Sequence, residues 1–458
     1  MKKNNTQKQL NEYSSDLPSR ESTEKNHDNG EEIILKKTYG DIPFDVQDND
    51  YLSVFREADR NIHNIALYPC KYIAELPKWA ILKYSKKGDY VLDPFIGSGT
   101  TFVECIKSGR NCLGIDYNPY AQLVSTVKST KLDSKKLKEE YNQLISNIKL
   151  DKDVPPQPNF KGVDFWFNKN VIRALSRIKK HTNQVKDKKY KDFFLVVFSM
   201  VVRKSSYIAP GQILTARRND WREIKQLTEQ ETIEMFESVA EEYMNYMNDF
   251  SKDADEKVHT EIIGIDSKEI TLPSGVEKVD LMVGSPPYIN AMDYIWANRL
   301  RLHWLDLVKD DADRLDLYNH EIGTERIPKK EYDKIGKTGI AEIDKKIEEI
   351  YKYNNSDTQS KLRSRVTYKY FMDMKKHLES AYSVLKKGGR YCIVVGDNNI
   401  RKVYIPTSEF LIKIAESIGF EKEMKFQIIL KNRSMNVQRN VDFANEIKYD
   451  RMIVLKKV

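Results

Sequence analysis

Tyr90-Val91-Leu92-Asp93-Pro94-Phe95-Ile96-Gly97-Ser98-Gly99-Thr100-Thr101 opens a stretch that closes at Asn111-Cys112-Leu113-Gly114-Ile115-Asp116. The apolar run at its start stops at Asp93, and Thr101 to Lys107 has helical character after a glycine turn. Asn111 to Ile115 is a second apolar run, closed by Asp116. Strand, turn, helix and strand in that order make one β-α-β unit, whose right-handed crossover lays the two strands parallel. The spacing predicts an α/β, doubly wound, Rossmann-like fold.

Gly97 and Gly99 flank Ser98 where the backbone must turn tightly and come close to a ligand. Asp116 stands nineteen positions beyond Gly97, where a carboxylate can accept both hydroxyls of a ribose. Dinucleotide sites share this geometry, but Phe102 occupies the place of their third glycine. Asp93 would also repel a pyrophosphate, whereas a cationic sulfonium with a free amino group suits it. The loop therefore favours S-adenosylmethionine as cofactor. Asp266 follows a third strand at Glu261–Ile265 and reads either as a partner of the adenine amino group or as an ordinary turn acid.

Far downstream, the strand Val279–Val283 runs into Ser285-Pro286-Pro287-Tyr288. Two consecutive prolines fix two φ angles and remove two N–H donors, leaving carbonyls free to accept. An exocyclic amino group of a base has two N–H donors and a delocalised lone pair. Accepting those hydrogens at Ser285 Oγ and the Pro286 carbonyl draws the nitrogen toward sp³ character, ready to take a methyl group. Positioning and electrostatics do the work, with no covalent enzyme intermediate. Tyr288 is suited to stack on the base, which must be extruded from a duplex to be reached. A plain Pro-Pro turn with a buried tyrosine is the bland alternative.

These stretches resemble the DNA amino-methyltransferase family that modifies cytosine N4 or adenine N6. The run from Asp93 and Pro94 through Phe95, Gly97, Ser98, Gly99, Thr100 and Thr101 is similar to its cofactor motif, and Ser285 to Tyr288 to its catalytic motif. The serine-headed version resembles the cytosine-N4 branch. Tyr68-Pro69-Cys70-Lys71-Tyr72 resembles the segment that encloses the methionine end of the cofactor, which implies roles for Tyr68 and Lys71. Gly114 to Pro119 resembles the ribose-binding strand end, which adds Asn118 to Asp116. The resemblance implies a methyltransferase fold acting on double-stranded DNA, with a cognate restriction nuclease as a partner by analogy. It covers about half the chain. Here the cofactor loop precedes the catalytic loop, the reverse of many relatives, so residues 130–258 become the candidate target-recognition region. The Pro69-Cys70 doublet also invites comparison with cytosine-C5 enzymes, but it precedes the cofactor loop, and an inert structural thiol is expected.

The chain has 458 residues, 40% of them apolar, with a formal net charge of +8. That charge permits a polyanionic partner without demanding one. Four scattered cysteines lack metal-ligand spacing, so no metal is expected. No apolar run reaches membrane-span length and no apolar signal core opens the chain, so a cytoplasmic protein without a membrane partner is expected. Residues 1–32 read as a disordered tail. Residues 33–129 and 259–458 read as the catalytic domain, and 130–258 as a mostly helical insert with a loop-like middle at Tyr207–Trp221. Within it, Arg203, Lys204, Arg217, Arg218 and Arg222 are expected to hold phosphates, with Gln212 reading base edges. A second polar insert at Asp310–Arg365 reads as solvated helices and a mobile loop. Tyr368–Leu385 reads as a helix stopped by Gly388-Gly389, and the chain as ending in an antiparallel hairpin of Met424–Leu430 with Glu446–Leu455. An RNA methyltransferase and a non-catalytic DNA-binding relative are the rival functions.

Overall fold

A computed structural model describes residues 20–28, 31–54, 61–153, 156–157, 160–255, 257–289, 292–430 and 449–458. Its strands are β1 Arg20–Asp28, β2 Glu31–Tyr39, β3 Tyr51–Val54, β4 Tyr90–Asp93, β5 Asn111–Ile115, β6 Thr260–Gly264, β7 Val279–Gly284, β8 Leu385–Val395, β9 Asn398–Ile400, β10 Val403–Ile405, β11 Phe420–Leu430 and β12 Asp450–Lys457. Ten of them form one sheet in the order β1-β2-β3-β11-β12-β8-β7-β4-β5-β6, while β9 and β10 pair separately. From β6 to β8 all pairs are parallel, and β12 is antiparallel to both β8 and β11. The chain thus builds outward from β4 to β6, then returns to add β7 on the other side of β4. That reversal is the switch point at which doubly wound sheets bind ligands.

The strands bury both faces. Val91, Cys112, Leu281, Val283, Cys392 and Val394 pack one way, against Trp79 of the helix Glu75–Tyr84 and Phe102 and Cys105 of the helix Thr100–Ser108. Their neighbours Leu92, Leu113, Met282, Tyr391 and Ile393 pack the other way, against the helices Thr358–Val384 and Thr407–Ile418. Alternation of buried residues on both faces is what a parallel sheet covered by helices requires.

The expected insert is helical, and each long helix starts on a capping side chain. Asp133 accepts from Lys136 N before Ser134–Leu150, Asn168 from Val171 N before Lys169–Gln184, and Asp187 from Lys189 N before Lys188–Lys204. Thr228 and Glu231 form a reciprocal capping box ahead of Glu229–Asp253. These helices share one continuous core with the sheet-covering helices: Phe193, Phe198 and Phe236 lie in the same cluster as Val103, Ile106, Tyr120 and Val124. No break in packing coincides with residue 130.

Four expectations need correction. The helix expected at Tyr368–Leu385 begins ten residues earlier, at Thr358, because Asp357 caps it through Ser360 N at 2.7 Å. Its polar first turns hide their burial; Ser360 and Ser364 are buried, and Ser364 Oγ donates to the Ile347 carbonyl at 2.9 Å. Gly388 and Gly389 do not stop that helix. They sit inside β8, where a Cβ on Gly389 would lie 2.9 Å from the Asp280 carbonyl. The second insert is not simply solvated, since Ile343, Ile347 and Ile350 of the helix Ala341–Lys352 join the core. Of the expected disordered tail, residues 1–19, 29 and 30 lie outside the described residues. Arg20–Asp28 instead pairs with Glu31–Tyr39, which carries Ile33, Ile34 and Leu35 and extends the sheet beside β3. The terminal hairpin forms as β11 and β12, and residues 446–448 of its expected second strand lie outside the described residues.

Candidate active site

The carboxyl ends of β4 and β7 are neighbours, with Val91 opposite Leu281 and Leu92 opposite Met282. The two loops singled out in the sequence therefore leave the sheet side by side. Gly284 makes this approach possible, because a Cβ there would stand 3.1 Å from both Asp93 Oδ1 and Pro94 Cδ. Beyond them opens a cleft lined by residues of both loops.

The cofactor loop forms one wall, through Pro94, Phe95, Gly97, Ser98 and Thr100. Gly97 and Gly99 both have positive φ, at 50° and 80°. At Gly99 a Cβ would lie 2.8 Å from the Ser125 backbone, so only glycine fits. Asp116, also in the wall, accepts from Gly97 N and Asn118 N, each at 2.9 Å. Burial pushes its carboxyl up to about 7 despite those donors, with Asp93 adding to the rise. Asp93 lies under the wall, fully buried, and burial raises it to about 6. It accepts from Phe95 N and Tyr72 Oη, both at 2.9 Å, and from Thr101 Oγ1. Thr101 thus holds Asp93 in place and does not line the cleft.

Tyr68 and Lys71 line the cleft. Lys71 Nζ donates to the His63 carbonyl at 2.6 Å. Asn118 does not reach the cleft. Its side chain accepts from Tyr120 N at 3.0 Å and caps the helix Pro119–Ser129. Asp266 also stays out of the lining. His320 Nδ1 lies 3.2 Å from it and Lys268 N donates at 2.9 Å. Burial works against its charge, but the Lys268 N–H, His320 and the Lys268 ammonium hold it below its ordinary value. Its neighbours Ile265 and Ser267 do line the cleft.

From the catalytic loop, Ser285 and Pro287 enter the same cleft. The Ser285 hydroxyl makes no hydrogen bond to another described residue, and Pro286 is buried behind it. Tyr288 lies outside the lining. It packs against the core, and its hydroxyl donates to Asp450 Oδ1 at 3.1 Å. Cys70, expected as an inert structural thiol, is exposed in the cleft wall with φ of 56°.

Several wall residues carried no sequence signal. His320 and Ile322 come from the second insert, two hundred positions beyond the cofactor loop. Tyr117 lines the cleft and donates to Glu321 Oε1 at 2.7 Å, a carboxyl that burial raises to about 7. Tyr294 stacks on Tyr68 with ring centroids 6.3 Å apart. Only Tyr117, beside Asp116, and Tyr294, just past the catalytic loop, were within reach of motif reading.

The basic residues of the insert divide. Arg217, Arg218 and Asn219 line a second concavity, and Arg222 lies over Trp221 at 4.7 Å. Lys204 and Gln212 are exposed. Arg203 turns inward, donating to the Gln212 carbonyl, and burial together with nearby Arg301 lowers it to about 10. Its role is to staple the loop.

A family profile described as DNA methylase matches residues 1–126. The type II methyltransferase M.MvaI of Kocuria varians is 26% identical over 425 residues, spanning 84% of this chain and 88% of that protein. M.BsoBI of Geobacillus stearothermophilus is 24% identical over 481 residues, spanning 93% and 91%. A SAM-dependent methyltransferase of solved structure from Methanosarcina mazei covers 86% of this chain and 98% of its own at 10% identity and a TM-score of 0.31, too slight a likeness to carry weight. The methyl donor is S-adenosylmethionine, and the cleft fits it. Asp116 lines the cleft with a carboxylate able to accept hydroxyls, the buried Ser98 hydroxyl lacks a partner among the described residues, and apolar Phe95, Ile115 and Ile265 can enclose a flat ring. No helix among the described residues is long and apolar enough to cross a membrane. The relatives that match it nearly end to end are type II methyltransferases, and with its sheet order and cleft the chain is similar to the DNA amino-methyltransferase family.

Proposed function

We propose that the chain methylates N4 of cytosine at a specific site in double-stranded DNA. What carries this reading is that Ser285 shares one cleft with Gly97, Ser98 and Asp116, its hydroxyl uncommitted. When bound, S-adenosylmethionine supplies an electrophilic methyl group on a cationic sulfur. Asp116 and the glycine turn hold its nucleoside end, and Tyr68 and Lys71 enclose its amino-acid end. Ser285 Oγ and the Pro286 carbonyl accept the two amino hydrogens of an extruded cytosine and orient its lone pair. Tyr288 stacks on the base once the loop admits it. Residues 130–258 recognise the target, with Lys204, Arg217, Arg218 and Arg222 on phosphates and Gln212 at base edges. A nuclease that cuts the same unmethylated site is the proposed partner.

The test is mass spectrometry of nucleosides from duplex DNA incubated with the protein and labelled S-adenosylmethionine, with transfer RNA in parallel. N4-methyldeoxycytidine is expected. N6-methyldeoxyadenosine alone would move the target to adenine, and label in RNA only would overturn the DNA reading.

A further inference from the structure

The second concavity lies on the insert side, between the loop 205–228 and the short helix Tyr294–Ala297. The chain has five tryptophans. Trp79 and Trp304 are sealed in the core, and the other three, Trp166, Trp221 and Trp296, all meet in this basin. Phe165 stands among them with 46% of its surface exposed, so an aromatic face stays open to solvent beside the tryptophans.

The charges here are of one sign. The Arg217 guanidinium lies 3.6 Å from the Phe165 ring centroid and 4.2 Å from that of Trp221. Its Nη1 donates to the Phe165 carbonyl at 3.2 Å. Neither Arg217 nor Lys161 in the same wall has a carboxylate partner among the described residues. Arg218 is held by Asp220 at 2.6 Å, and Arg299 has Asp311 at 3.7 Å. Flat rings beside uncompensated cations fit a flat ring flanked by anions. A nucleobase with its phosphates has that form: stacking accepts any base, and the phosphates meet the free cations.

The basin is tied to the catalytic cleft. Tyr294 lines the cleft, and Trp296, two residues on, lines the basin. Trp296 Nε1 donates to the Thr215 carbonyl at 3.0 Å, and Thr215 Oγ1 donates back to the Trp296 carbonyl at 2.8 Å. The loop that carries Arg217 and Trp221 is thereby fastened to the segment that leaves the catalytic loop.

We infer that this basin is a second base-binding site, which stacks an unpaired base of the DNA whose target base occupies the cleft. The inference rests on the DNA reading proposed above. The test uses the full chain saturated with S-adenosylhomocysteine and two short duplexes, one fully paired and one with a single unpaired thymidine. The unpaired base should tighten binding about tenfold, in line with one stacked base, and quench tryptophan emission. Trp221→Ala and Trp296→Ala should lose that preference, while Trp221→Phe, which keeps a ring, should retain it. Arg217→Gln should weaken both duplexes alike. Methyl transfer is measured alongside. If the wild-type chain methylates duplex DNA yet shows no preference for the unpaired base, or if both alanine variants keep it, the basin assignment fails alone. If the chain neither binds nor methylates DNA, the reading beneath it fails too.

Discussion

Asp116 is a buried carboxyl in the cleft wall and Asp93 a second one beneath that wall, and their titration is the most direct handle on the cleft. Burial places them at about 7 and about 6. An acid whose native value lies above its ordinary one binds more protons folded than unfolded, so both contribute stability at low pH that is lost as pH rises through those values. Ligand binding should run the opposite way, because ribose hydroxyls donate best to an ionised carboxylate. Calorimetric affinity for S-adenosylhomocysteine should rise between pH 6 and 8. Asp116→Asn should remove the upper part of that rise and weaken binding about tenfold; an unchanged profile would take Asp116 off the ribose. Ser285→Ala should behave differently. In the proposed mechanism its hydroxyl accepts from the base amino group, so single-turnover transfer should fall by about 10²-fold while cofactor affinity stays put.

The strand-turn-helix element from β4 through Thr100–Ser108 works because glycine takes conformations and contacts that other residues cannot. Gly99 combines φ of 80° with a Cβ position 2.8 Å from the Ser125 backbone. Gly99→Ala should cost about 2 kcal/mol, read as a lower urea midpoint, and should weaken cofactor binding as the turn is displaced. At the insert, Thr228→Ala removes half of a capping box and should cost about 1 kcal/mol without changing cofactor affinity, since the cap lies outside the cleft. The first of these elements was legible from local residues, through its glycine spacing. The start of Thr358–Val384 was not. Its first turns are polar, and their burial depends on packing against the preceding helix Ala341–Lys352.

At the scale of the molecule, the insert is built into the enzyme. Phe193, Phe198 and Phe236 complete the core beneath Tyr120 and Val124. Tyr120 Oη lies 2.8 Å from Ser199 Oγ, and Ala66 N donates to Tyr243 Oη at 2.9 Å. Replacing residues 130–258 by a short linker should therefore give an aggregating chain with no cooperative unfolding transition. A soluble, folded remnant that still binds cofactor would show that the two parts are separable.

The sequence by itself determined the β-α-β unit, the two loops that leave β4 and β7, and the helical character of the insert. Each of these is encoded within some thirty residues, by φ preferences, capping side chains and apolar runs that need no distant partner. Tertiary structure alone decided that β7 lies against β4, so that Ser285 faces Asp116's cleft, that His320 and Ile322 close it, and that three tryptophans gather in a second basin. Those contacts join residues far apart in the chain. They come from strand pairing and the burial of whole faces, whose partners no local pattern can name.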